Sequence, residues 1–495
     1  MTWYGEFREG KPREEADIIV RAFAALEEPV EISVVATDDG WIAYMYAEDQ
    51  LLVREPYLRE LIELVGDRAE VRVIKRVIRD ILLVRVRFPD EPKPAKTSRA
   101  SRRVPPQPPL PRLPRLLNEV DALLGPAIAT LNHVVTAAGS GNPTGCPATE
   151  PQETYDSRPY PPVCPGRGGD GVRIYVADTG IVADTVANTW WLQGVTGERD
   201  PSVSDPAQGP VTIQPYGGHG TFVAGVIRSM APAAEIVVKS VFDVAGSGLE
   251  ADFVPKLYDG FEFGAEIFHI TVASPTRNNI HLMAFEAWLE DLRQRKGVVC
   301  IAPAGNSNSR LPFWPAAFDH IISVGALSND WRERAYFSDY GGWVDVYAPG
   351  ENLVNAFVTG SFQCQIEPYA GEVRTFSGTA QWSGTSFSAP IVTGLIAARM
   401  TRCGESAREA AAALLAKARD QAIPGVGPAL FPGCEDDDRG GCRGGGGSCG
   451  CAGGRGGSCG CGCGCGCGCG CDGGCGCGGG RAGGHRGHGH GHGPR

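Results

Sequence analysis

The sequence contains no run of the roughly eighteen uninterrupted apolar residues that a membrane-crossing helix needs. Its first residues, MTWYGEFREGKPREEAD, lack the charged-then-apolar pattern of a secretory signal. Those two absences make a soluble cytoplasmic protein the simplest expectation, with export by another route left open. An excess of basic residues is missing too. The formal net charge is −11, so nucleic acid, whose phosphates need a cationic face, is not an expected main partner. Cysteine is scarce wherever a core would form: of 18 cysteines, only Cys146, Cys164, Cys300, Cys364 and Cys403 precede residue 434. That distribution argues against a disulfide-built scaffold. Cys300, inside the apolar run VVCIAP, is expected to behave as a small buried hydrophobe. Cys146 and Cys164 flank a Pro-rich stretch and are a candidate pair under oxidising conditions.

What is present divides into four zones, with enough apolar content (42% of 495 residues) for one large core plus smaller appendages. Residues 1–90 read as a small α+β domain. Ala16, Ile19, Ala22, Phe23 and Leu26 recur at helical spacing, and VEISVVAT (30–37) and WIAYMYA (41–47) are strand-like runs around Asp38-Asp39-Gly40, a hairpin signal. REPYLRELIELVG (54–66) predicts a second helix and ILLVRVRF (81–88) a further strand. Residues 91–164 read as a Pro-rich linker with a short helix over 116–130, and the arginines near its start invite proteolytic nicking.

Across 165–420, strand-like and helical runs alternate. GVRIYVADTG, AEIVVKSVF, AEIFHITVAS, GVVCIAPAGN and HIISVGAL are nearly continuously apolar, the mark of strands buried on both faces of a helix-covered parallel sheet. Ligands of such sheets gather beyond the carboxyl ends of the strands, and several of these runs end in polar residues and glycine. The last zone, 434–495, is rich in Cys, Gly and His. It has nothing that could form a core and is expected to be disordered by itself.

The chemistry lies in the third zone. Hydrolysis of a peptide by a serine needs a nucleophile, a base, a group orienting that base, and donors for the developing oxyanion. Ser386 sits in GTSFSAP, a tight turn running into an apolar helix, where free backbone N–H groups point at an incoming carbonyl. His219 sits in GGHGTFVAGVI, again at a helix start, with glycines that permit close approach. Asp178 ends the strand VRIYVAD, and Asn306, ending APAGN, carries an amide able to donate to an oxyanion. A lone strand-ending Asp is usually a turn or cap residue, and a lone His beside glycine says little more. In the order Asp, His, Asn, Ser across one α/β block, the four leave little room for coincidence.

DTG, HGTFVAG, APAGN and GTSFSAP resemble the four signature motifs of the subtilase family, in its chain order Asp…His…Ser. The resemblance runs from about 170 to 402 and takes in PAAEIVVKSVFDVAGSG, WPAAFDHIISVGAL and FSDYGGWVDVYAPG. It implies a doubly wound, subtilisin-like α/β fold and a serine endopeptidase acting on proteins or peptides without a cofactor. Asp178 would orient His219, His219 would be general base and acid, Ser386 the nucleophile, and Asn306 would complete the oxyanion hole with the Ser386 backbone N–H. Thr271, Val272 and Ala273 stand where many subtilases carry Ser-Leu-Gly on a substrate-pairing strand. With Gly305 they are the implied substrate-binding positions, and Ala273 in place of glycine adds a methyl near the primary pocket. His269, just upstream, reads as a buried strand residue with one hydrogen-bond partner.

Two other readings compete. A serine-carboxyl peptidase shares a GTS serine but replaces the histidine with a carboxylate, and His219 argues against it. A degenerate scaffold serving as a binding module would have lost a catalytic group, and none is missing. For residues 1–90, a prodomain-like role matches in architecture only, beside an unrelated accessory or docking module. For the tail, a flexible extension is the plain reading. Its thiols and imidazoles, among them Cys451, Cys461, Cys463, Cys465, His488 and His490, also suit capture of Zn²⁺ or Cu(I). Its GGSCGC repeats resemble azole-forming precursor peptides, which would make it a modification substrate. No clear calcium-ligand cluster is visible, so calcium dependence is open.

Overall fold

The apolar runs become a seven-stranded parallel sheet in the order Val346–Pro349, Ile321–Leu327, Val299–Pro303, Ile267–Ile270, Arg173–Asp178, Glu235–Ser240, Thr196–Gly197. The computed structural model describes residues 11–37, 42–89, 110–137, 148–243 and 245–433. The Cys/Gly/His tail, with its candidate metal ligands, lies outside them, as do Cys146 and the hairpin residues 38–41.

Strand alternation sends successive side chains to opposite faces. Ile174, Val176, Ile236, Val238 and Ile301 join one core with Phe222, Val226 and Ile227 of the helix His219–Met230 and Ile391, Leu395 and Ile396 of the helix Thr385–Cys403. Tyr175, Ala177, Phe268, Ile270, Cys300 and Ala302 join the other, under Phe253 and Val254 of the helix Glu250–Lys256 and Phe285 and Trp288 of the helix Met283–Arg293. The sheet is thus covered by helices on both faces, the doubly wound arrangement expected from the continuous apolar runs. From Arg173–Asp178 the chain first builds outward to one side, through Glu235–Ser240, and then restarts on the other with Ile267–Ile270. The switch point therefore lies between the carboxyl ends carrying Asp178 and Thr271, where such sheets bind their ligands.

The N-terminal residues form a second, antiparallel sheet of strands Ile32–Ala36, Ile42–Arg54, Glu70–Ile78, Ile81–Arg87 and Ala129–Thr136. Its sixth strand, Ser247–Leu249, comes from the α/β region and pairs with Ala129–Thr136. One face carries Leu51, Val53, Val84 and Leu131 under the helices Leu58–Val65 and Arg112–Leu123. The other presents Leu52, Ile78, Ile81, Leu83 and Val135 to Phe253, Phe285 and Trp288, so the second core is shared between the two sheets.

Two features differ from the sequence reading. The strand Glu70–Ile78 was absent from it, because EVRVIKRVI is a mostly exposed edge strand whose basic residues mask the pattern. The stretch read as linker holds the helix Arg112–Leu123, ending before Gly125-Pro126, and then a strand with all eight residues buried. Proline stops the helix that periodicity alone would carry to 130. The N-terminal unit therefore continues to Thr136 instead of ending at 90. Among the described cysteines, Cys300 and Cys364 are free and buried, while Cys164 and Cys403 are each disulfide-bonded.

Candidate active site

Asp178 is the last residue of the interior strand Arg173–Asp178, and His219 is the first of the helix His219–Met230. Two glycines let these elements meet. Gly218, before the histidine, has φ 83°, and a Cβ there would lie 2.8 Å from Val358 Cγ2. A Cβ on Gly220 would lie 2.3 Å from the carbonyl oxygen of Gly180 and 3.1 Å from Asp178 Oδ1, so any side chain would force the two turns apart. In the space thus left open, His219 Nδ1 lies 2.8 Å from Asp178 Oδ1 and 3.0 Å from Oδ2.

Both side chains are wholly buried. Burial pushes the Asp178 carboxyl up, but the positive charge available on His219, its hydrogen bond and the Thr179 backbone N–H at 2.6 Å outweigh that and hold it below its ordinary value. An ionised Asp178 accepts from Nδ1–H, which leaves Nε2 as the basic nitrogen. The ring is held edge-on to Trp382 at 5.6 Å and tilted on Phe387 at 5.3 Å.

Ser386 is the second residue of the helix Thr385–Cys403 and is also fully buried. Neither its Oγ nor His219 Nε2 has a hydrogen-bond partner among the described residues. Two buried polar atoms left unsatisfied by the protein cost stability. Catalytic hydrogen bonds are often long before substrate arrives and tighten in the reacting complex.

Asn306 follows the strand Val299–Pro303, and its Oδ1 accepts from both the backbone N–H and the hydroxyl of Thr385, each at 2.9 Å. With the carbonyl end pinned to the residue before Ser386, the amide's NH₂ is its donating end. Gly305 is committed to the same loop: its N–H donates to Thr385 Oγ1 at 3.2 Å and its carbonyl accepts from the Asp339 N–H. Asp339, buried, accepts from the N–H groups of Ser307 at 2.9 Å and Ser309 at 2.7 Å, fixing the loop beyond Asn306. Thr385 and Asp339 lie within the motifs GTSFSAP and FSDYGGWVDVYAPG, where only their tertiary contacts with the Gly305–Ser309 loop set them apart from their neighbours.

Thr271, Val272 and Ala273 extend the strand Ile267–Ile270, and their backbone edge is already taken. Val272 bridges antiparallel to Ala137, and Ala273 N–H donates to the Thr136 carbonyl at 3.1 Å. On the other side, Ala137 N–H donates to Gly246 O at 2.8 Å, and Val135 stands opposite Gly248. Residues 134–137 thus run between Ser247–Leu249 and Val272–Ser274. His269 lies in the same buried strand with its Nδ1 2.8 Å from Thr393 Oγ1, and burial pushes it down to about 3, so it is neutral. Among the described residues no three His, Cys, Asp or Glu side chains converge as metal ligands would.

The model of the subtilase family matches residues 169–430, and the chain belongs to that family. It is 29% identical over 281 residues to a thermophilic serine proteinase of Bacillus sp. (strain AK1), covering 54% of this chain and 61% of that one. It is 28% identical over 256 residues to subtilisin Savinase of Lederbergia lenta, covering 49% and 81%. With thermitase of Thermoactinomyces vulgaris it is 28% identical over 263 residues, covering 50% and 80%. The first of these alignments thus spans about six-tenths of its relative, and all three leave about half of this chain unmatched.

Proposed function

We propose that the chain is a serine endopeptidase in which Ser386, His219 and Asp178 hydrolyse peptide bonds, and that its N-terminal unit holds the site closed in cis. The observation that carries the first part is the Asp178–His219 pair at 2.8 and 3.0 Å, with His219 Nε2 and Ser386 Oγ both buried and unsatisfied. In the reaction, Ser386 Oγ attacks the substrate carbonyl carbon while His219 Nε2 takes its proton, and Asp178 stabilises the imidazolium. The oxyanion accepts from Asn306 Nδ2 and the Ser386 backbone N–H. Collapse expels the amine, which leaves with the proton from Nε2. Water, deprotonated by the same nitrogen, then frees the acid and restores Ser386.

Residues 134–137 support the second part. Their backbone makes the pairings an extended substrate would make with the strands on either side, so chain and substrate compete for one edge. Being tethered, the internal segment acts at high effective concentration. The competing view, an accessory module unrelated to the reaction, gives no reason for a strand in the cleft.

One buried lock is a handle on this arrangement. Arg277, 3% exposed, donates to Asn118 at 2.7 Å and to the Asp121 carboxylate, both on the N-terminal unit's helix, while its backbone N–H donates to His133 Nε2 at 3.2 Å. Removing one member of a buried ion pair costs about 3–5 kcal/mol. Even part of that, loaded onto docking, should raise the open fraction by at least tenfold. Asp121→Ala in the full chain is therefore expected to raise the initial rate on a small chromogenic peptide at least tenfold. An unchanged rate, with the same thermal midpoint for the α/β region, would make the N-terminal unit an accessory module.

A further inference from the structure

A second buried carboxylate lies beside the first. Asp200 belongs to neither the Asp178 strand nor the His219 helix but to the irregular segment between them, and it is fully buried. Its Oδ2 accepts from the Thr179 hydroxyl and from the Gly218 N–H, each at 2.8 Å, and its Oδ1 accepts from the Ser202 N–H at 2.8 Å. The Thr179 oxygen in turn accepts from the Gly220 N–H at 3.0 Å. The N–H groups on both sides of His219 are thus held by one circuit, and that circuit is anchored to the residue next to Asp178. Asp200 is also tied through its own backbone N–H to Ile181 O at 3.0 Å.

We propose that Asp200 is a positioning residue for the reaction: its carboxylate, through Thr179 and Gly218, sets the approach of Asp178 to His219. This rests on the assignment of those two residues to catalysis. An Asp178–His219 pair pinned only at its own atoms would leave the two turns free to separate, because the glycines at 180, 218 and 220 give the backbone no stiffness of its own. The clamp supplies it from a third element. A carboxylate suits the place because its two oxygens take three donors at once. An amide with one acceptor oxygen would set its NH₂ against one of them. The environment fits: burial pushes the Asp200 carboxyl up to about 6, with the hydrogen bonds from Gly218, Thr179 and Ser202 pulling the other way and the charge of Asp178 adding to the rise.

The test uses the full chain, with two readouts. The first is the far-downfield proton resonance of the His219 Nδ1–Asp178 hydrogen bond, which needs no turnover. The second is kcat and KM on a small peptide, measured with the Arg277 lock opened by Asp121→Ala. Asp200→Asn is expected to shift or broaden the resonance and lower kcat by about 10- to 100-fold, with KM within twofold. Thr179→Val, which breaks the circuit while leaving Asp200 in place, should do the same to a smaller degree, and Thr179→Ser should restore both. An unmoved resonance in Asp200→Asn and in Thr179→Val, whatever the thermal midpoint does, would overturn the proposal. A resonance that moves in a protein with no hydrolytic activity, wild type included, would sustain the clamp and instead sink the peptidase reading. If Asp200→Asn does not fold, the Thr179 pair decides the matter alone.

Discussion

Ser386→Ala is expected to lower kcat on a peptide substrate by about 10⁶-fold, a magnitude taken over from subtilisin, a relative in the same family. The hydroxyl is buried and makes no hydrogen bond among the described residues, so its removal strands no partner and the fold should lose little or nothing in stability. The comparison belongs in the Asp121→Ala background, in which turnover is expected to be faster. A residual rate of roughly 10³–10⁴ over water would remain, because the oxyanion donors and the binding edge persist. Full activity in the alanine variant would refute the nucleophile.

Asn306 should show the next largest effect, and the structure separates its two ends. The carbonyl oxygen holds Thr385, and the amide NH₂ is the donor proposed for the oxyanion. Asn306→Asp keeps an acceptor for Thr385 and removes the donor, so the loop should survive while kcat falls by at least 10²–10³-fold, again a subtilisin magnitude. A carboxylate there would repel a developing oxyanion, which places the expected loss at or beyond the upper figure. Asn306→Leu removes both ends and should also destabilise the fold by about 1–3 kcal/mol, since the Thr385 N–H and hydroxyl are left buried without acceptors. KM should barely move in either variant, because the lost interaction strengthens only as charge develops. A loss confined to KM would make Asn306 a binding residue.

Asp178, His219, Asn306 and Ser386 could be singled out as candidates in the sequence for a physical reason. Each lies within three residues of an element's end, with a glycine one or two positions away, where close approach leaves little choice of residue, and the strands nearby are so uniformly apolar that their polar ends stand out. The sheet and its helical cover followed from the same runs. What escaped was set by tertiary contact. The strand Glu70–Ile78 is exposed and basic. ATLNHVVT straddles the end of the helix expected over 116–130 and the stretch read as linker, and nothing in those eight residues says that their end will pair with Ala273 from a distant part of the chain. Asp200 lies in GERDPSVSD, an irregular stretch with several acidic residues, and only its burial against Thr179 and Gly218 distinguishes it from its neighbours.

Covalent capture reads out directly whether Ser386 is the activated nucleophile. A fluorophosphonate, which reacts with a serine only when a base takes its proton, would be incubated with the Asp121→Ala chain, and the adduct mapped by peptide mass spectrometry. A single adduct is expected, on Ser386, formed at a rate that collapses when His219 is replaced by alanine. An adduct on another serine, such as the neighbouring Ser388, or labelling of Ser386 that survives the loss of His219, would contradict that assignment.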